Sequence, residues 1–470
     1  MRKLWILAIV VLLISVHTAV AVSSQRPDQL TFPPLELSFP EISEYQTTNG
    51  MRLYLKADDE LPLVDMTIMI RGGSIYDSTE KTGLAQLFAQ ALETGGTKSY
   101  TPEQFEQELD LMAAQLTVTS SSYHYQVDLS IHQRDLNKAM EILADLLRRP
   151  RFAEQRVELA RQRLIETVHR QNDRPGDIAR RYFAQAVNPD HPLGLDPALE
   201  TVNNLALEDL LAVHERFFHP QHLWWGVSGA VTEEQFLALL AKHFDDWSSQ
   251  AEVDHEFPAL PDSLDATTYV VDRTLSQTTL MMGHRGISKD NPDLHAVRLA
   301  NYILGGGGFN SRLMREIRSN RGLAYSIYSQ FQPGRYLPGL FAVGGETRND
   351  SAIEVMRLVR HLIDEMREVP VTAEELESAK SSLINSFIFA FENTHSVVTQ
   401  KMRLQFYSYP DDYLETYQQR IEVLTAEDVQ RVAKRYLQPE RLHVVLVGDG
   451  DILMDDLGDQ VADIVIIELD

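Results

Sequence analysis

At 470 residues and a net charge of −25, the chain is long enough for two or more cored domains and too acidic for nucleic acid to be an expected partner. It has no cysteine, which excludes disulfides, a lipid-modified cysteine and a thiolate nucleophile.

Met1-Arg2-Lys3, the apolar run Leu4 to Val16 and the small-residue site Ala19-Val20-Ala21 have the layout of a secretory signal peptide over residues 1–21. That run falls short of the roughly 20 residues a spanning helix needs, and no later stretch is long and uncharged enough to cross a bilayer. A soluble mature chain exported to a periplasm is therefore expected. Residues 22–39, with Pro27, Pro33, Pro34 and nearby Pro40, read as an extended arm.

Asn49-Gly50 precedes an alternating strand signal at Met51 to Leu55, and Val64 to Ile70 gives a second strand expected to pair with the first. A helix follows over Gly83 to Leu92. Its positions 86, 89 and 90 are where an inverted zinc motif, H-x-x-E-H, would place two histidines on one helical face with a glutamate between them. They hold Gln86, Ala89 and Gln90. Without imidazoles to grip an ion or a carboxylate to polarise water, the chain is not expected to hydrolyse peptides alone. Further helices are expected from Thr101 to about Ala114, over about 134–148 and over 153–171, with strands near Gln115 to Thr119 and Tyr125 to Ile131.

The chain repeats itself once. Leu205-Ala206-Leu207-Glu208-Asp209-Leu210 is echoed 219 residues later by Leu424-Thr425-Ala426-Glu427-Asp428-Val429, and the offset persists through Pro220 and Pro439 and through Gly229 and Gly448. Each copy reads as a helix stopped before proline, then an apolar strand, Leu223 to Ser228 or Leu442 to Val447. Residues 248–267, with Pro258 and Pro261, mark a linker between halves at 40–247 and 268–470. The expected class is α+β: two homologous half-chain domains, each a mixed, mostly antiparallel sheet with helices on one face.

In the second half, Gly305-Gly306-Gly307-Gly308 precede a helix that Asn310 or Ser311 can cap and Gly322 can end, with a strand from Leu323 to Phe331. Arg318 near the helix end and Tyr325 early on the strand could point into one space. The run lacks a phosphate-loop lysine, and no G-x-S-x-G elbow occurs anywhere. His214, His219 and His222 have spacings of five and three, which do not match an i, i+4 metal pair. His124 and His132, eight residues apart on one strand, cannot share an ion.

Taken together, these features resemble the pitrilysin family of zinc metallopeptidases, in its two-subunit branch that includes mitochondrial processing peptidase and bacterial secreted relatives. The resemblance runs from Thr48-Asn49-Gly50-Met51-Arg52-Leu53 through Arg71-Gly72-Gly73-Ser74 and the Gly83 to Leu92 helix, and is strongest over Leu304 to Tyr325. It implies half of a clamshell chamber, with zinc bound by H-x-x-E-H and a further glutamate about 75 residues on. Here only Glu166 falls near that distal place, and Arg298 and Tyr302 in the duplicated helix offer no substitute. Glu166 reads as an ordinary helix residue.

In two-subunit members one chain brings the metal and the other an arginine and a tyrosine that grip substrate. The resemblance implies that this chain is the second kind, with Arg318 and Tyr325 donating to substrate carbonyls or an oxyanion and Gly305 to Gly308 shaping the chamber. The implied partner is a homologous zinc-binding subunit, the substrate a peptide or unfolded protein, and no cofactor resides in this chain. Two other readings stay open: a catalytically dead scaffold or peptide-binding protein, and a peptidase with an unusual metal site.

Overall fold

The computed structural model describes residues 40–248, 256–261, 265–458 and 463–469. The segments read as signal peptide and arm, and part of the linker, lie outside them. The first half builds a six-stranded sheet from β1 (Ser43–Gln46), β2 (Arg52–Ala57), β3 (Leu63–Arg71), β4 (Gln115–Ser120), β5 (His124–His132) and β6 (Leu223–Gly229), in the order β1-β2-β6-β3-β5-β4. The second half repeats the plan with β7 (Thr268–Asp272), β8 (Gln277–Arg285), β9 (Ala324–Gln332), β10 (Leu340–Arg348), β11 (His443–Gly448) and β12 (Ile464–Ile467), in the order β12-β7-β11-β8-β10-β9. Five of the six strands correspond one to one, from β2 to β4 in one order and from β7 to β9 in the other. Only the sixth differs, since one sheet takes β1 from before its core strands and the other takes β12 from after them.

The sheets are mixed and mostly antiparallel, with β2 parallel to β6 and β7 parallel to both β11 and β12. One expectation needs correction. The strand signals at 51–55 and 64–70 do form strands, but they do not pair: β6 lies between them, parallel to β2 and antiparallel to β3. A strand far downstream takes the place that sequence proximity suggested for a hairpin.

Helices cover one face of each sheet, as the class requires. Helix Leu84–Thr94 buries Ala85, Leu87, Phe88, Ala91 and Leu92 against a core that includes Leu53, Met66, Ile68 and Val127. Helix Pro102–Leu111 starts in a capping box in which Thr101 accepts from the Gln104 N–H and Gln104 accepts from the Thr101 N–H, with Pro102 at the first helical position.

The opposite faces are covered across the halves. Helix Pro175–Val187 leaves its own sheet and lays Ile178, Ala179, Phe183 and Val187 on Val271, Met281, Ala342, Val445 and Val447 of the second sheet. Helix Thr394–Phe406 does the converse, packing Val398, Met402 and Phe406 with Tyr54, Met69 and Trp224 of the first. The two helices are themselves related by the 219-residue offset, because 175 + 219 is 394 and 187 + 219 is 406. This exchange explains why β6 and β11 are apolar on both faces rather than alternating.

Polar contacts lock the seam. The Ser228 hydroxyl donates to Nδ1 of His395 (2.9 Å), Nε2–H of His395 donates to Thr67 Oγ1 (3.0 Å), and Thr67 donates to Asp128 (2.6 Å). Nearby, the Tyr407 hydroxyl donates to Nδ1 of His124 (2.8 Å). Burial, helped by Arg403 and Arg335, pushes the His124 imidazole down to about 4.

Two outcomes follow from this packing. Phe183→Ala should cost about 3–5 kcal/mol, and hydrogen exchange should rise in β8 and β11, on the other half, more than in β2 and β3. Because His124 stays neutral in the fold while the unfolded chain takes up a proton below about 6.5, its contribution of about 3 kcal/mol is lost as pH falls from about 6.5 to about 4. A melting-temperature series across that window should fall in the native protein and flatten in His124→Gln.

Candidate functional site

The degenerate helix sits where its motif expects. Helix Leu84–Thr94 begins at Gly83, whose φ of +101° suits glycine, and the Asp77 carboxylate accepts from the Gly83 and Ala85 N–H groups at 3.3 and 3.2 Å. Burial pushes the Asp77 carboxyl up to about 7 despite those donors. Gln86 is exposed on the wall of a cleft of about 670 Å³ between this helix and helices Glu154–Arg170 and Pro175–Val187. Ala89 is buried, and Gln90 is half-buried with its Oε1 unpartnered.

Glu166 does not enter this cleft. It is exposed and ion-paired with Arg170 one turn on, while Thr167, about 100° further round the helix, lines the cleft opposite Gln86. Two amides, a methyl and a hydroxyl offer no imidazole or carboxylate, so the residues present do not fit a catalytic zinc site. Arg170, Arg174, Arg180 and Arg181 line the cleft together with Asp173, Asp177 and Asp196 instead.

The second constellation lies on β9, an edge strand paired only with β10 among the described residues. Helix Leu294–Asn301 runs into a π-helical turn at Tyr302–Gly306; a single 3₁₀ turn follows at Gly308–Asn310, and a second π-helical stretch over Met314–Asn320 carries Arg318. Sequence reasoning expected a plain helix there. The wider π turns take up extra residues, a device common at functional sites.

The glycines divide in role. A Cβ at Gly305 would stand 2.4 Å from the Ser329 backbone nitrogen, so this residue lets the turn press onto β9. Gly308, at φ +58° and with nothing near its Cβ position, turns the chain outward. The next residue, Phe309, is solvent-exposed.

Arg318 and Tyr325 are brought together. The guanidinium carbon of Arg318 lies 4.8 Å from the Tyr325 ring centre and 4.5 Å from that of Phe309. The cation is thus sandwiched between two aromatic faces. Among the described residues its side chain has no ion pair or hydrogen bond, and Tyr325 is 80% exposed. Phe309 was missed by sequence reasoning, although its place beside the glycine run was a signal.

A further residue fixes this loop. Arg312, 5% exposed, forms a two-pronged ion pair with Glu375 at 2.9 and 2.7 Å. Glu375 is also the third residue of a capping box with Thr372 that opens helix Ala373–Phe387. Burial raises the Glu375 carboxyl, but the Arg312 fork, the Thr372 N–H and Arg315 outweigh it and hold it at about 2.

Residues 52–198 match the model of the insulinase peptidases, family M16, and residues 204–383 match the model described as the peptidase M16 inactive domain. The chain belongs to peptidase family M16, the pitrilysin family. Among M16 relatives, a protein of Helicobacter pylori named non-peptidase homolog YmxG is 26% identical over 83% of this chain and 90% of its own length. An uncharacterized zinc protease of Rickettsia felis is 25% identical over 71% of this chain and 80% of its own. The crystal structure of a peptidase M16 inactive domain from Pseudomonas fluorescens superposes with a TM-score of 0.78 at 25% identity, covering 87% of this chain and 98% of that one.

The histidines set aside in the sequence do local work. His214 bonds the Leu147 carbonyl at 2.9 Å, His222 bonds that of Phe217 at 2.8 Å, and Arg298 donates to the Tyr413 hydroxyl at 2.6 Å. Among the described residues no three His, Asp or Glu side chains gather as a metal site.

Glu375→Gln should destabilise the protein by about 3 kcal/mol, since Arg312 keeps a buried charge without its carboxylate. Because Glu375 ionises more readily in the fold than in the unfolded chain, its contribution is full above pH 4.5 and lost as pH falls toward about 2. Acid unfolding followed by circular dichroism should therefore show the native and Glu375→Gln proteins converging at the acid end.

Proposed function

We propose that this chain is the non-catalytic, substrate-gripping subunit of a heterodimeric periplasmic zinc metallopeptidase, whose partner is a homologous chain carrying H-x-x-E-H. The partner's metal supplies activated water. This chain supplies Arg318 and Tyr325, which donate hydrogen bonds to substrate carbonyls or to the oxyanion that develops on cleavage.

The observation that carries this reading is the sandwiched Arg318. Aromatic faces orient a guanidinium without consuming its N–H donors, so the group is held in place and still free to bind a carbonyl. It stands beside β9, whose outer edge pairs with no strand among the described residues and can take an extended peptide as one. The degenerate helix supports the other side of the argument, because Gln86, Ala89 and Gln90 give this chain no means of activating water itself. The signal-peptide pattern supports the periplasmic assignment.

The alternative is a scaffold or peptide-binding protein without a proteolytic role, a reading favoured by the relative named a non-peptidase homolog. The two differ in one experiment. Co-purified with its zinc-bearing partner, the native chain should support peptide cleavage, and Arg318→Ala or Tyr325→Phe should each lower turnover by ~10²- to 10³-fold. Phe309→Ala should cause a smaller loss. Unchanged turnover in all three variants would favour the scaffold, and chelator-sensitive cleavage by this chain alone would overturn both readings.

A further inference from the structure

A cavity of about 490 Å³ opens at the ends of β8 and β11, where Val187, the last residue of the first half's donated helix, meets the second sheet. Its polar wall includes His284, Arg285, Tyr436, Arg441 and His443. No carboxylate lines it among the described residues, in a chain where acids outnumber Lys and Arg by 68 to 43.

The donors on that wall are not matched by acceptors. Arg285 donates to the Pro261 carbonyl (2.7 Å) and the Val187 carbonyl (2.9 Å), while its Nε–H is buried without a partner among the described residues. Both acceptors are neutral, so among the described residues no negative charge answers the guanidinium, and burial pushes its pKa down. Arg441 is exposed and has no side-chain hydrogen bond or ion pair among the described residues. Nδ1 of His443 accepts from the Thr267 N–H at 3.4 Å, so the neutral ring carries its proton on Nε2, which has no partner among the described residues.

Of the nearby carboxylates described, exposed Glu440 acts on His284 against the effect of its burial, and the others are engaged elsewhere. His284 is a neutral wall, donating from Nδ1 to the Arg285 carbonyl (2.8 Å) and accepting at Nε2 from the Gln438 N–H (3.2 Å). Asp293 is engaged by Arg431 and the Tyr436 hydroxyl, both at 2.8 Å, Asp290 is paired with Lys289, and Glu440 faces solvent 3.9 Å from Arg367.

We propose that this cavity binds a small phosphate-type oxyanion, with Arg441 and Nε2–H of His443 as its donors and Arg285 supplying positive charge behind them. Guanidinium and imidazole N–H groups form charge-assisted bonds with such an anion, and a wall with no carboxylate among the described residues removes the repulsion that the rest of this acidic surface would impose. The site is independent of the peptidase reading.

Titration calorimetry on the purified full chain, with inorganic phosphate added at constant ionic strength, tests this. The native protein should give a saturable one-site isotherm. Arg441→Leu should weaken binding about tenfold, His443→Phe should weaken it as well, and Arg348→Leu, which removes the same charge from a surface outside the cavity, should leave it unchanged. Glycerol phosphate in a second arm separates the sources: binding at least as tight as phosphate points to a phosphorylated small molecule, and preference for phosphate points to the free ion. An absent isotherm, or equal binding by Arg441→Leu and Arg348→Leu, overturns the proposal.

Discussion

The reciprocal loan of one helix per half is the constraint on which the rest of the molecule depends. Each sheet has two apolar faces but only enough helices of its own for one. Helix Pro175–Val187 covers the second sheet and helix Thr394–Phe406 the first, so neither half can bury its core without the other. The contacts that close each core are separated by 84 residues, Val187 to Val271, or more, which couples the halves into one folding event and makes late, non-local pairing unavoidable. It also fixes the setting of the Gln86 cleft, because the donated helix Pro175–Val187 is one of its walls.

Within that frame the Arg318 site is built from a chain segment that departs from regular helix twice. The two π-helical stretches bracket the glycine turn and present Phe309 and Arg318 to Tyr325 on β9. Irregular backbone of this kind is held only if something pins it, and the Arg312–Glu375 pair does so from beneath by tying the segment to a capped helix start. Arg312 is a positioning residue in this sense: buried and tied to Glu375 through Nε and Nη2, whereas Arg318 is held by rings and keeps its donors. Two arginines six residues apart thus do opposite work, and their surroundings decide which.

Much of this was legible in the sequence. The 219-residue repeat gave two halves, the alternating and apolar runs gave most strands to within a residue or two, and the glycine run located the Arg318 segment. What failed was whatever depended on partners distant in sequence. Nothing local to β2 and β3 says that β6 will lie between them, and the repeat that relates helices 175–187 and 394–406 does not say which sheet each covers. Phe309 and Arg312 stood inside the quoted motif and went unassigned, because an aromatic beside glycine and a buried arginine acquire meaning only from the residues they meet.

The degenerate metal helix shows why a fold of this kind can part with its chemistry. Ala85, Leu87, Phe88, Ala91 and Leu92 carry the packing of helix Leu84–Thr94, while Gln86 is exposed and Gln90 half-buried, so the identities at those two positions add little to the core. Position 89 differs, since Ala89 is 3% exposed and a carboxylate there would need a metal or a hydrogen-bonded setting to offset its desolvation. Restoring two histidines and a glutamate would still leave Thr167 facing the cleft, with Glu166 turned to solvent. A working zinc site would require the neighbouring helix to change as well as this one. The helix persists because the first core needs its apolar face, and that need is indifferent to whether the polar face binds zinc.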